Sequence, residues 1–201
     1  MNNSVISGNS VNFYASMTSF YDSEFNLYFY NCNFSNNYGN SIAAVFAAFH
    51  FYGLVFFNQT LFQNNTVEIN TFIGGAIAIV YGDPTITILY FTNCIYINNY
   101  SSNKGGVFAI LFGNIYDYNS YYCNNSSPIG GSVFISGYSD FNLTNATVVL
   151  GNAGYGGVLR IADATNVFLS NSQFISNTAD EGACFSLEGF QMTFYVNYIF
   201  F

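Results

Sequence analysis

A seven-residue motif that recurs every 25 to 34 residues constrains this chain more than any other feature of its sequence. The motif has Asn at its first place, Cys, Ser or Thr at its second, an apolar residue at its fourth and Asn at its seventh. Its seven copies begin at Asn3, Asn31, Gln59, Asn93, Asn119, Ala146 and Asn171, and their second residues are 28, 28, 34, 26, 27 and 25 positions apart. A period of this size is typical of repeat proteins in which each unit packs on its neighbours.

A pair of glycines followed by small and apolar residues forms a second motif between successive copies of the first. It reads Gly-Gly-Ala-Ile at 74–77 and recurs from Gly105, Gly130, Gly156 and Glu181, while 43–46 takes its place in the second repeat. Paired glycines permit a sharp bend and a close approach of neighbouring backbones. Two motifs that keep the same order along the chain predict one structural circuit per repeat.

Alternation along the predicted strands assigns residues to the inside and the outside of each circuit. In the first motif, the inward residues include Cys32, Phe34, Cys94, Tyr96, Ser172 and Phe174, and the outward ones include Asn33 and Gln173. After the glycines, two columns are predicted inward: Phe46, Ile77, Phe108, Val133, Leu159 and Cys184, then Ala48, Ile79, Ile110, Ile135, Ile161 and Ser186. The column between them holds Ala47, Ala78, Ala109, Phe134, Arg160 and Phe185. Arg160 predicts that this column faces outward, because an unpaired buried cation is costly.

We therefore predict an all-β protein, a right-handed parallel β-helix (solenoid) of about seven coils. We expect one such domain over residues 1–201, as a segment of a longer solenoid. Turn residues interrupt every candidate helix, and β-branched and aromatic residues fill the runs between them. The apolar run Ile42–Phe57 is shorter than the ~20 residues of a membrane span, so we predict no membrane insertion by this segment. The extra residues of the longest repeat are expected to bulge around 67–71 and 81–84.

Two short patterns carry a resemblance to a known family. Phe-x-x-Asn stands at 34–37, 62–65 and 174–177, and Gly-Gly-Ala-Ile at 74–77. Together they resemble the motifs of the polymorphic outer membrane protein repeat family, over essentially the whole chain. The resemblance implies a pectin-lyase-like β-helix with an extracellular or cell-surface, often adhesive, role. The chain begins without a visible signal peptide and carries no autotransporter barrel.

The formal net charge of −8, with Lys104 and Arg160 as the cations, excludes two classes of partner. Nucleic-acid binding requires several cations that neutralise phosphates. Attraction to an anionic membrane surface requires them as well. We therefore expect neither nucleic acid nor a charged lipid surface as a partner.

The sequence shows no catalytic constellation. The resemblance implies that an enzyme of this superfamily would need clustered aspartates, or Ca²⁺-binding carboxylates beside a basic residue. Here the acidic residues are scattered, and Asp180, Glu181 and Glu188 are interpreted as a solvated turn, with a weak Ca²⁺ site as the alternative. The sole histidine, His50, lies in an apolar run and is predicted to pack rather than to react. We predict no catalytic, cofactor-binding or metal-binding residue, and not an enzyme.

The four cysteines are expected to remain reduced. Cys32 and Cys94 share a column but lie two coils apart, roughly 9.6 Å at the usual strand spacing, beyond the ~7 Å Cα separation that a disulfide spans. Cys123 falls at a turn and Cys184 in another column, and no Cys-x-x-Cys spacing indicates zinc.

Two functions remain open at this stage. The first is a non-enzymatic structural or adhesive surface module. It would dock a protein or glycan on a flat face of small outward residues, namely Val45, Ala47, Ala76, Ala78, Val107 and Ala109. Its open end coils would allow end-to-end continuation with further coils. The alternative is a carbohydrate-binding or pectin-lyase-like polysaccharide-active domain, in which Tyr116, Tyr118, Tyr121 and Tyr138 stack on sugar rings.

The column assignment predicts opposite outcomes for two substitutions. Ile135→Asp places a charge inside and should unfold the domain, whereas Ala109→Asp should leave it folded and weaken contact with a partner. Urea unfolding followed by circular dichroism measures both. Equal behaviour of the two variants would contradict the assignment.

Overall fold

Parallel strands stacked one coil above another make up the described part of the chain. The computed structural model describes residues 1–11, 18–24, 26–40, 42–68, 75–80, 87–163, 166–189 and 192–201. Within these ranges there is no helix, and the strands form a β-solenoid of about six turns. The predicted all-β parallel solenoid is confirmed, with about six turns against the seven coils expected. None of the described residues belongs to a helix long and apolar enough to cross a membrane.

Each coil contributes up to four strands. Coils one and two contain β1 (Val5–Ser7), β2 (Ser10–Val11), β3 (Thr18–Glu24), β4 (Leu27–Tyr30), β5 (Asn33–Ser35), β6 (Tyr38–Gly39), β7 (Phe46–Tyr52) and β8 (Leu54–Asn58). Coils three and four contain β9 (Leu61–Gln63), β10 (Thr66–Val67), β11 (Ile77–Val80), β12 (Ile88–Thr92), β13 (Ile95–Ile97), β14 (Tyr100–Ser101), β15 (Phe108–Leu111) and β16 (Asn114–Tyr118). The remaining coils contain β17 (Tyr121–Cys123), β18 (Val133–Ser136), β19 (Asp140–Thr144), β20 (Thr147–Val149), β21 (Asn152–Tyr155), β22 (Leu159–Ala162), β23 (Asn166–Ile175), β24 (Thr178–Glu181), β25 (Phe185–Glu188) and β26 (Thr193–Phe200).

The strands build four parallel sheets, which we name by position in the coil. The motif sheet contains β1, β5, β9, β13, β17, β20 and the second half of β23. The short sheet contains β2, β6, β10 and β14, followed by the pair β21 and β24. The glycine sheet contains β3, β7, β11, β15, β18, β22 and β25, and the closing sheet contains β4, β8, β12, β16, β19, the first half of β23, and β26. The long strand β23 belongs to both the closing and the motif sheet, and so joins them.

Left-handed backbone conformations mark two places of every motif copy. The first place has φ between 49° and 58° and is held by Asn3, Asn31, Gln59, Asn93, Asn119, Asn145 and Asn171. The sixth place has φ between 52° and 69° and is held by Gly8, Asn36, Asn64, Asn98, Asn124, Leu150 and Ser176. Asparagine tolerates this region better than most residues. The chain therefore turns at these two places.

The sixth copy of the motif begins one residue earlier than the sequence analysis placed it. Thr147 pairs with Tyr121 and with Gln173, so Asn145 holds the first place and Gly151 the seventh. The steps between copies become 28, 28, 34, 26, 26 and 26. The physical reason is packing: this register buries Val148 and leaves Leu150 in solvent.

The last glycine motif was also misaligned by one residue. Leu159 pairs with Phe185 rather than Cys184, and Arg160 pairs with Ser186. The second inner column accordingly ends at Leu187, the partner of Ile161. Here Gly182, not Glu181, takes the left-handed turn position, with φ of 64°.

The six extra residues of the third coil are divided equally between two insertions. Compared with the coil before it, three extra residues lie between Val67 and Ala78, and three between Val80 and Ile88. The bulges expected around 67–71 and 81–84 stay a prediction. Gly74 and the inserted stretches 69–74 and 81–86 themselves lie outside the described residues.

Close backbone approach explains the glycines of the second motif. Gly105 has φ of 55°, and a Cβ added there would lie 1.8 Å from the carbonyl oxygen of Phe108. A Cβ on Gly131 would lie 2.1 Å from the carbonyl oxygen of Gly157 in the next coil. Neither position admits a larger residue without movement of the backbone.

The interior is filled by columns of large side chains. The predicted inward residues of the motif sheet are buried, and the fully enclosed column contains Phe34, Phe62, Tyr96, Tyr122, Val148 and Phe174. A second column stacks the rings of Phe29, Phe57 and Phe91, with centroids 4.6 and 5.1 Å apart. A void of about 10 Å³ beside Tyr122 is no larger than one water needs. The described interior is thus a packed core and not a channel.

The flat outward face predicted for a partner is buried instead. Ala47, Ala78 and Ala109 do point away from the main core, but they are fully buried in a second hydrophobic cluster with Ile42, Ala43 and Val80. Alanine columns leave room for other side chains to pack directly on the sheet. A carboxylate at Ala109 would enter this closed apolar site, so Ala109→Asp is now expected to unfold the domain as Ile135→Asp does.

The other half of that predicted face belongs to the main core. Val45, Ala76 and Val107 are fully buried there. The backbone nitrogens of Val45 and Phe46 both donate to the carbonyl oxygen of Ala76, at 3.0 and 3.1 Å. This bend interrupts the alternation of side chains, so two successive residues face inward.

A ladder of asparagines, buried from Asn37 to Asn125, connects the coils. The seventh-place amides of Asn9, Asn37, Asn65, Asn99 and Asn125 form a continuous chain in which each Nδ2 donates to the next Oδ1 at 3.0 Å. Each Oδ1 from Asn37 onward also accepts the backbone N–H of the preceding asparagine, at 3.0 to 3.2 Å. The seventh-place amides therefore stack along the axis of the solenoid. An exposed ladder of sixth-place amides, from Asn36 to Asn124, runs beside it.

The buried ladder should contribute more to stability than the exposed one. Asn99→Ala removes the acceptor of two Asn65 N–H groups and the side-chain donor to the carbonyl of Phe62. It also removes one of the two donors to Asn125 Oδ1, which keeps the backbone N–H of residue 99. We expect a loss of about 3 kcal/mol or more in the free energy of unfolding. Asn98→Gly, which keeps the left-handed turn, should cost about 1 kcal/mol. Urea titration of both variants checks this, and equal losses would show that burial does not govern the ladder.

Candidate functional site

The acidic residues singled out in the sequence do not form a metal site in the described part of the chain. Arg160 faces outward as predicted, and its guanidinium donates to the carboxylate of Glu188 and to the hydroxyl of Ser186. Asp180 and Glu181 are exposed. No group of three potential ligands lies together among the described residues.

The histidine and the cysteines are dispersed over the fold. His50 is half-buried in β7 with φ of 46°. Cys32 and Cys94 are buried in their predicted column, while Cys123 and Cys184 are half-buried. All four thiols are free.

A buried carboxyl group is the main polar feature of the core. Asp117 occupies the inner column of the closing sheet directly after Phe57 and Phe91, with Leu143 following it. Its side chain is completely buried. The hydroxyls of Ser120 and Tyr122 donate to its two carboxylate oxygens. The turn at Asn119 brings these donors back toward Asp117 from the start of the next coil.

Burial dominates the electrostatics of this cluster. Removal from water raises the pKa of Asp117 to about 7, although the hydrogen bonds from Ser120 and Tyr122 oppose the shift. The same burial, reinforced by the charge of Asp117, raises the pKa of Cys94 to about 12 and those of Tyr96 and Tyr122 well above their usual value. The thiol and the phenols therefore stay protonated at neutral pH.

The sequence analysis missed this cluster because it treated the acidic residues as scattered along the chain. The signal was available: the closing strand precedes each motif by a constant spacing, which aligns Asp117 with Phe91. Enclosure on all sides keeps the cluster away from any soluble substrate. The cluster therefore affects the stability of the fold, and a binding site for a soluble partner lies on the surface.

The outer face of the closing sheet carries a line of six aromatic rings that is interrupted once. Its strands alternate half-buried and buried residues, which is typical of a sheet with one wet face. One outward column, which we call the aromatic row, contains Tyr28, Phe56, Tyr90, Tyr116, Asn142, Phe168 and Tyr195. The rings of Tyr90 and Tyr116 stack with centroids 5.0 Å apart, and those of Phe168 and Tyr195 stack at 4.6 Å.

Polar side chains flank the later part of the aromatic row on both sides. On one side lie Asn114, Asp140 and Asn166, linked by hydrogen bonds of 2.9 and 2.8 Å. On the other, the hydroxyls of Thr144 and Ser170 lie 3.0 Å apart. A surface of ring edges and faces between amides, hydroxyls and a carboxylate can contact both apolar and hydrogen-bonding groups.

The tyrosines proposed from the sequence fall in three places. Tyr116 lies in the aromatic row and Tyr118 in the neighbouring column of the same face, both half-buried. Tyr121 is exposed on the motif sheet, and Tyr138 is 73% exposed at a bend before β19. The sequence identified these residues by type, and the row emerges only from the pairing of strands.

A second concave surface lies beside the short sheet. It is a shallow cleft of about 400 Å³ lined by Tyr100, Asn124, Ser126, Ser127, Pro128, Asn152, Ala153 and Gly154. Its lining is polar and holds neither a carboxylate nor a histidine. The aromatic row extends through every coil, whereas this cleft is confined to the middle of the stack.

Comparison with known proteins adds no relative to this description. No family model, no curated protein and no solved structure matches the chain. The resemblance to polymorphic outer membrane protein repeats therefore stays a prediction. Function has to be argued from the core and the surfaces described above.

The buried carboxyl group predicts an unusual pH dependence of stability. Asp117 has an ordinary pKa of 3.8 when unfolded and a raised one, about 7, when folded. The folded state thus holds a proton that the unfolded state releases, and stability falls as pH rises between these values. Between pH 4.5 and pH 7.5 the contribution lost is about 3 kcal/mol. Urea unfolding at these two pH values measures it.

Two matched variants isolate the effect of Asp117. Asp117→Asn keeps an acceptor for one hydroxyl but does not titrate, so it should flatten the pH dependence. Asp140 lies on the outer face of the next coil, three strand positions from the column of Asp117, so Asp140→Asn should keep the wild-type slope. An unchanged slope in Asp117→Asn would show that other groups cause it.

Proposed function

We propose that this chain is a non-enzymatic structural or adhesive module, of the kind displayed at a cell surface, and that it presents the outer face of its closing sheet to a partner. The observation that carries the proposal is the aromatic row, in which six rings and Asn142 occupy the same outward place in seven successive strands of that sheet. Exposed and half-exposed rings lined up on one face are typical of an interaction surface.

The stack beneath the row favours presentation of a rigid surface. The buried ladder through Asn65 and Asn99 and the core column through Phe62 and Tyr96 set the position of each coil relative to the next. Side chains in the row are consequently held at the spacing of hydrogen-bonded strands, about 4.8 Å. A binding surface that is already ordered loses little entropy on contact.

The charge of the chain restricts the partner. With a net charge of −8, the protein repels polyanions such as uronic-acid polymers and nucleic acids. A neutral or cationic partner, protein or glycan, fits the surface. This restriction favours binding of carbohydrate over processing of pectin-like acidic polymers as the second candidate function.

The last coil supports continuation of the stack as a further mode of assembly. Strand β26 pairs with β23 along one edge. Val196, Phe200 and Phe201 are between 51% and 78% exposed on this coil. A further parallel coil placed on β26 would pair its backbone and bury these side chains.

Adhesion through the row can be tested with purified protein on surfaces coated with neutral glycans, with uronic-acid polymers or with protein. We expect retention on at least one neutral surface and weak retention on the acidic one. The variant Tyr28→Ser/Tyr90→Ser removes two rings of the row and should lower retention several-fold, while Tyr138→Ser, an exposed ring elsewhere, should not. Release of reducing ends or of unsaturated products from any of these polymers would contradict the non-enzymatic proposal.

A further inference from the structure

The aromatic row is interrupted at one place. Asn142 holds the fifth position, between Tyr116 in the coil before it and Phe168 in the coil after it. Tyr116 stacks on Tyr90, and Phe168 stacks on Tyr195. Tyr90 therefore covers one face of the Tyr116 ring, and Tyr195 covers one face of the Phe168 ring. The other faces of Tyr116 and Phe168 are directed toward each other across the shorter side chain of Asn142.

The width of this gap fits one ring. Two strand spacings separate Tyr116 from Phe168, roughly 9.6 Å. A ring held between two others makes two contacts of about 3.5 to 4.0 Å each, and so needs about 7 to 8 Å. Two inserted rings would need more than the gap offers. A small tilt of the Tyr116 and Phe168 rings toward each other would bring both into contact with a single inserted ring.

The floor and sides of the gap are polar. Asn142 Oδ1 accepts the hydroxyl of Thr144 at 2.8 Å, and no partner for its Nδ2 exists among the described residues. The carboxylate of Asp140, which accepts from Asn166 at 2.8 Å, lies in the adjacent column. The site thus offers apolar walls above and below, with a free donor and a carboxylate acceptor at the edge of whatever ring enters.

We propose that the gap between Tyr116 and Phe168 is a binding slot for one hexopyranose ring of a neutral glycan. This inference rests on the proposed function, since it names the ligand of the same surface. A pyranose presents C–H groups on its faces and hydroxyls around its edge, which matches ring walls and a polar rim. Phosphorylated or uronic rings are disfavoured by the net charge of −8 and the nearby Asp140.

The slot can be filled by a single substitution that extends the existing ring stack. Asn142→Phe would place a ring between Tyr116 and Phe168 and join the two stacked pairs. Aromatic neighbours on paired strands stabilise a sheet, so the midpoint of thermal unfolding should stay equal to or above that of the wild type. The same variant leaves no room for a sugar.

The experiment is calorimetric titration of the purified chain with three neutral hexasaccharides: cellohexaose, chitohexaose and maltohexaose. We expect saturable binding of at least one, and a loss of at least about tenfold in affinity for Asn142→Phe. Phe168→Leu removes one wall and should cause a similar loss. The matched control Thr92→Phe adds a ring elsewhere on the same outer face and should retain the wild-type affinity.

Several outcomes would overturn the slot. Wild-type affinity in Asn142→Phe or in Phe168→Leu places the sugar elsewhere, and absence of binding by all three hexasaccharides excludes the ligand class. Tighter binding of an uncharged aromatic peptide than of any sugar would assign the slot to protein. In each of these cases a loss of surface retention in Tyr28→Ser/Tyr90→Ser still supports the adhesive module, whereas depolymerisation of a glycan removes the proposed function itself.

Discussion

Hydrogen bonding between successive coils is the constraint from which the rest of this structure follows. The seventh-place asparagines bond to one another through the buried interior, and each one ties a turn to the turns before and after it. Such a chain of amides forms only if every circuit returns the backbone to the same place. The left-handed turns at the first and sixth places of the motif, and the glycines that precede the inner columns, are the local means of that return.

The same register that stacks the core also orders the surface. Every column of the closing sheet, inward or outward, repeats at the strand spacing, so the ring stack of Phe29, Phe57 and Phe91 inside has a counterpart in the aromatic row outside. In each of these two columns, one polar residue takes the place of a ring. Asp117 ends the inner stack and requires Ser120 and Tyr122 as partners, whereas Asn142 divides the outer row and leaves a gap open to solvent. The polar residue of the inner column is a titrating group in the core. The polar residue of the aromatic row leaves a recess between two rings.

The scarcity of charge gives this surface its selectivity. Amides and hydroxyls take the place of charged residues on the outside of the solenoid, so hydrogen bonding and ring contacts remain the available forces. The two cations have local roles: Arg160 pairs with Glu188, and Lys104 lies 4.4 Å above the ring of Phe134. For the proposed function, these forces favour a partner that is recognised mainly by its shape and its hydrogen-bonding pattern.

The sequence by itself determined the solenoid and the inward columns of the motif, because turns and strand alternation depend on residues close together in the chain. The predicted register was wrong by one residue in the sixth copy of the motif and in the last glycine motif. The first lacks asparagine at its seventh place, and the second lacks its second glycine, so neither marks its own register. The sequence analysis also placed Ala47, Ala78 and Ala109 on the surface, since periodicity shows which way a side chain points and not what covers it. The Asp117 cluster and the aromatic row join residues that only strand pairing brings together, across a turn or from coils 26 to 34 positions apart. Tertiary structure decided these because coverage and coil-to-coil contact are properties of distant parts of the chain.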